Sequence, residues 1–182
     1  MSALPHTLLF GAAFLAVFWE AAFPFIRVLF GAQISLLPPL MVYAALSMGL
    51  STVAVLAVVS GVLFDSLSAN PLGISILPLF AIGLLIYARR DLILRDQPFA
   101  QFVLGLVASA ATPGLIVVLL LTAGQTPLLG WGSLWQWLVM SVGGATATPI
   151  LFALFGWANR VLGYRRVIEN SFRPDREIRR GK

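Results

Sequence analysis

Three charged side chains interrupt the first 88 residues: Glu20, Arg27 and Asp65. An ionisable group inside an apolar chain is expensive unless it is paired or wetted, so each of these is a candidate for function. Asp65 follows Ala57 and Gly61 at intervals of four, which places all three on one face of a helix. Small residues on such a face let a second helix approach closely, so Asp65 is expected to point into a bundle. Two roles are open to it. It could be a binding or ion-coupling carboxylate. It could also be a helix-end residue that hydrogen-bonds the following turn of Ser66, Ser68 and Asn70, the preferred reading because Asp and Asn favour such turns.

Glu20 and Arg27 are seven residues apart, again on roughly one face, with Pro24 between them. Pro24 has no N–H to give to the carbonyl of residue 20, so a kink and an unused acceptor are expected beside Glu20. Either this notch accepts a partner helix or a substrate, or Arg27 snorkels to an interface while Glu20 finds a nearby hydroxyl. A third candidate is the small-residue run Ser141 to Pro149, which contains Gly144 and resembles Ala108 to Gly114. Close packing of two kinked spans is the preferred reading, and a flexible cavity lining is the other.

No nucleophile–base pair, phosphate loop or metal set accompanies these residues. There is no cysteine, and the lone histidine, His6, cannot build a zinc site. Neither a cofactor nor a metal is expected, and the chemistry of the chain is expected to be non-enzymatic.

The composition indicates where these residues sit. Of 182 residues, 59% are hydrophobic and 10% charged. A soluble domain is about a quarter charged, so lipid is the expected solvent. The apolar stretches are continuous rather than alternating, which favours helices over a membrane barrel. The expected fold is all-α, a polytopic helical bundle with about six transmembrane helices. The first run, Leu8 to Phe30, lacks a basic segment before it and is read as a retained helix rather than a signal peptide. Pro38-Pro39 suits a helix start. The stretch from there to Leu67, broken near Met48-Gly49, reads as a hairpin of two short helices. Leu72 to Ala88, Phe99 to Ala123 and Leu134 to Asn159 complete the set.

Charge sets the expected orientation. Eight basic and three acidic residues fall between Arg160 and Lys182, and they account for the net charge of +5. With Arg89, Arg90 and Arg95 in a preceding loop, positive residues mark two points separated by two spans. Both points are therefore expected in the cytoplasm, with the N-terminus on the same side. Residues 1–160 form the expected transmembrane domain and 161–182 a basic cytoplasmic tail. The tail could lie on anionic lipid as an interfacial helix, dock a cytoplasmic protein, or act only as a disordered topogenic segment. Nucleic acid is not an expected partner.

Two segments carry a family resemblance: Pro-Leu-Met-Val-Tyr-Ala-Ala-Leu at 39–46 and Gly-Val-Leu-Phe-Asp-Ser-Leu-Ser-Ala-Asn-Pro-Leu-Gly at 61–73, followed by an apolar span ending in Arg89-Arg90. Over these roughly fifty residues the chain resembles MreD, the membrane subunit of the bacterial rod-shape system; elsewhere the likeness is compositional. The resemblance implies a non-enzymatic adaptor of the bacterial inner membrane. Its implied partners are a single-pass protein of the MreC type, a RodA-type glycosyltransferase and a penicillin-binding transpeptidase, with the MreB cytoskeleton linked indirectly. The implied fold is similar to the substrate-binding subunits of energy-coupling-factor vitamin transporters. Such a subunit is the alternative function, with Ala12 and Ala16 as its docking face. A membrane sensor domain is a third possibility.

Overall fold

A computed structural model describes residues 4–22, 31–68, 71–93, 97–125 and 130–170, with side chains of the last helix described through Val161. The described residues form six α-helices and no strand: α1 (Leu4–Ala22), α2 (Leu37–Ser47), α3 (Leu50–Leu67), α4 (Ile76–Arg89), α5 (Pro98–Thr122) and α6 (Trp131–Asn170). A single 3₁₀ turn, Arg90–Leu92, extends α4. Arg27, Asn70 and Pro24 lie outside the described residues, as does the chain beyond Asn170.

Four helices are long and apolar enough to cross a membrane: Pro5–Ala22 in α1, α3, α5, and Trp131–Val161 in α6. At 1.5 Å per residue, the 11 residues of α2 reach only about 16 Å, well short of a hydrocarbon core of about 30 Å. The helix compensates by position. Leu37 through Leu46 are all buried, and α2 touches each of the other five helices. A helix apolar on every side must be enclosed by protein or lipid; here protein encloses it, so α2 is the core of the bundle. Tyr43 of α2 stacks on Phe155 of α6, centroids 4.4 Å apart, and meets Phe152 edge-on at 5.0 Å.

The sequence explains where α2 begins and ends. Pro38 and Pro39 occupy its first turn, where a missing N–H costs least. Met48 and Gly49 are both extended, and α3 starts at Leu50. The expected hairpin therefore has its break where anticipated, but its arms are unequal, with 11 and 18 residues. α6 runs unbroken for 40 residues, through Pro149 and past residue 160, so the expected boundary between span and tail falls within one continuous helix. The first ten residues after Arg160 contain neither Pro nor a Gly-rich break, and one glycine, Gly163, does not stop a helix already nucleated.

Successive helices run in opposite directions. Glu20 near the end of α1 shares a cavity with Phe64 and Leu67 at the end of α3. Gly61 near the end of α3 meets Ile76 at the start of α4. Gly114 late in α5 approaches Trp137 early in α6. One end of the bundle thus gathers Glu20, Gln33, Asp65, Ser75 and Gln136. Arg89, Arg90 and Arg160 belong to the opposite end. Outward faces are strongly apolar, including Phe14, Leu15, Phe18 and Trp19 of α1, as lipid contact requires.

Candidate functional site: the polar end of the bundle

Asp65 sits in the last turn of α3 and is only 2% exposed. Its Oδ2 accepts the backbone N–H of Gly73 at 2.9 Å and that of Ser75 at 3.0 Å. Its Oδ1 accepts the Ser75 hydroxyl at 2.5 Å. Ser75 is the N-cap of α4, so the carboxylate of one helix caps the next. Negative charge at that position is also favoured by the α4 dipole. Gly73 has φ +91°, a left-handed conformation that brings its N–H onto the carboxylate and that a side chain would disfavour. Asp65 therefore ties α3 to the start of α4: the described partners of its carboxylate are Gly73 and Ser75, not the expected Ser66 and Ser68, and Asn70 lies outside the described residues. Ser66 donates instead to the Leu63 carbonyl at 2.8 Å, and Ser68 lies near the Asp65 main-chain carbonyl at 3.4 Å. The long reach to residues 73 and 75 depends on how the connection folds back, which local spacing does not reveal.

The small-residue face continues inward from Asp65. A Cβ built on Gly61 would lie 2.8 Å from Ile76 Cγ1 and 3.0 Å from the Ile76 Cα and N. Ala57, one turn earlier, is fully buried. Gly61 is where α3 meets the start of α4, which brings Ser75 within reach of Asp65.

Glu20 lies on the same end. The Ser35 side chain hydrogen-bonds its carboxyl group, while Oε2 is buried without a hydrogen-bond partner among the described residues. The main-chain carbonyl of Glu20, the acceptor that Pro24 cannot serve, receives Gln33 Nε2 at 3.1 Å. Gln136 of α6 completes the chain of contacts. Its Oε1 accepts the Gln33 N–H at 2.9 Å, and its Nε2 donates to the Gln33 carbonyl at 2.8 Å. An amide side chain thus satisfies both main-chain groups of a residue in an irregular segment, which membrane burial demands. The sequence reading did not single out Gln33, Ser35, Ser75 or Gln136. Gln33 and Gln136 did carry a signal, since an amide within an apolar run is conspicuous, whereas Ser35 and Ser75 did not.

Gly144 lies where α5 and α6 touch. A Cβ on Gly144 would collide with Ser109, and one on Gly105 would collide with Thr148 and come within 2.8 Å of the Gly144 carbonyl. Thr148 and Thr112 each return a hydroxyl to the carbonyl four residues earlier, at 2.8 Å, which lets polar residues sit in a tight apolar contact. Beyond this contact α5 and α6 diverge into an open apolar groove of about 810 Å³, lined by Pro113, Gly114, Val117, Leu134, Trp137 and Met140. Trp137 bridges the two helices by donating Nε1 to the Ala110 carbonyl at 2.7 Å, three residues before Pro113. It therefore holds the bundle together, whereas Trp131 is highly exposed at the helix start.

The expected docking face at Ala12 and Ala16 turns inward. Ala16 is buried in the core and Ala12 packs against it. No group of metal-ligating side chains occurs among the described residues. Searches of protein families, curated proteins and solved structures returned no match to this chain.

Proposed function

We propose that this chain is a non-enzymatic adaptor of the MreD kind in the bacterial inner membrane. In this reading it passes through the membrane about six times, the short α2 doing so enclosed by the other helices rather than against lipid, with both termini in the cytoplasm. It holds a single-pass MreC-type protein against its helices, and through it joins the MreB cytoskeleton to a RodA-type glycosyltransferase and a penicillin-binding transpeptidase. The basic tail adds contact with anionic lipid.

One observation carries the proposal. The two segments on which the resemblance rests, 39–46 and 61–73, build the two features that organise the bundle. The first is most of the fully enclosed helix α2. The second contains the Gly61 contact, the Asp65 carboxylate and the left-handed Gly73 that it holds. A family pattern made of packing and capping residues suits a protein whose work is to present a shaped surface. Ala16, on the face that a vitamin-transporter subunit would use for docking, is buried here, which supports the adaptor reading over that alternative.

Recovery of the protein from native membranes, with mass spectrometry of the proteins and small molecules that accompany it, tests the reading. An MreC-type protein is the expected companion, and depletion should round a rod-shaped host. A bound vitamin with an ATPase module, or growth rescued by vitamin without any change of shape, would replace it with the transporter reading. Orientation is checked separately. Reporters fused at Gly130 and Lys182 should lie on opposite sides of the membrane, and finding them on the same side would overturn the topology.

A further inference from the structure

Next to the Asp65 clamp is a cavity of about 300 Å³ between the ends of α1 and α3. Its polar wall is Glu20, Gln33 and Ser68; its apolar wall is Val17, Phe64 and Leu67. We propose that this cavity is a binding site for a primary ammonium group carried on a short alkyl chain, with Glu20 as its countercharge.

Three features select that chemistry. First, Glu20 Oε2 is buried and has no hydrogen-bond partner among the described residues, while the Ser35 hydroxyl occupies the other side of the carboxyl group. An ionised carboxylate removed from water needs a donor, preferably a charged one. Second, the cavity lies at the C-terminal end of α3, where main-chain carbonyls lack helical partners and the helix dipole is negative. The Ser68 and Glu20 oxygens add to this excess of acceptors, which suits a cation and disfavours an anion. Third, Val17, Phe64 and Leu67 would cover a chain of a few methylenes. The volume of about 300 Å³ admits a butylammonium-sized group. The same chemistry comes from a free small amine or from a lysine of another chain.

The full-length protein in lipid nanodiscs, titrated with n-butylamine hydrochloride, tests the site. Saturable binding is expected, with n-butanol and butyrate failing to compete. Glu20→Gln should weaken binding about tenfold or more, the loss expected when a charged hydrogen bond becomes a neutral one. Absence of saturation, or equal competition by n-butanol, would overturn the proposal without recourse to any variant. So would unchanged affinity in a folded Glu20→Gln protein. Binding seen only after Arg27→Ala would also overturn it, because the chain's own guanidinium would then be the occupant. Carbodiimide treatment of native membranes distinguishes the two sources. A Glu20-dependent amide to a lysine of another protein marks a partner, and a Glu20-dependent increment equal to the mass of an amine less water marks a free amine; the N-acylurea of the reagent alone counts as neither. Finding neither would overturn a native role for the site.

Discussion

Asp65→Ala is expected to abolish recovery of stable protein or to lower its unfolding temperature sharply in detergent. The carboxylate satisfies three donors at once, the N–H groups of Gly73 and Ser75 and the Ser75 hydroxyl. Removing it strands both Ser75 donors at a buried N-cap and leaves the half-buried Gly73 N–H to water, and each unsatisfied buried group costs about 1–3 kcal/mol. A total of about 2–6 kcal/mol from the two buried donors is a large part of the roughly 5–15 kcal/mol that holds a typical domain folded. Asp65→Asn is the informative companion. It retains one acceptor oxygen and replaces the other with an N–H₂ group that cannot receive hydrogen bonds, so it should be intermediate. If Asp65→Ala is as stable as the parent yet loses its membrane partner, Asp65 contacts that partner, and the clamp is not what the residue is for.

Gly61→Leu is expected to be equally severe for a different reason. The space beside Gly61 is occupied by the Ile76 main chain as well as its side chain, with backbone atoms 3.0 Å from where a Cβ would sit. A change of rotamer at Ile76 cannot clear backbone, so α4 would have to move away from α3. That movement would also pull Ser75 from Asp65, so the cost should exceed the usual 1–3 kcal/mol of overpacking. Gly61→Ala should show a smaller effect of the same sign. Because the two sites share Ser75 and Ile76, the double variant Gly61→Ala/Asp65→Asn should be less destabilised than the sum of its parts. Thermal unfolding monitored by circular dichroism, together with the fraction of monodisperse protein, measures all five variants. A Gly61→Leu protein of normal stability would place this face against lipid.

How much was legible beforehand varies with how local the cause is. The helical bundle followed from composition and from unbroken apolar runs, because lipid forces every backbone group to be satisfied within a helix. The break at Met48-Gly49 and the start at Pro38 were local, and both are found. The close faces at Gly61 and Gly144 were visible because only small residues permit such approach. The unused carbonyl at Glu20 was predictable from Pro24 alone, but not that Gln33 would fill it.

What the sequence determined by itself is the solvent of this protein, its helical class, the places where its helices can touch, and the few polar groups that must be satisfied somewhere. Each of these depends on residue type and on spacing within one helix. Only the tertiary structure decided which groups meet. It enclosed an 11-residue helix within the other five, and it carried Asp65 across a connection to the cap of α4. It also brought Gln136 to Gln33 across 103 residues and turned Ala16 inward. The physical reason is that a hydrogen bond between distant segments depends on the path of the whole chain. In an apolar medium, partners are chosen by which helices pack, and no short-range pattern records that choice.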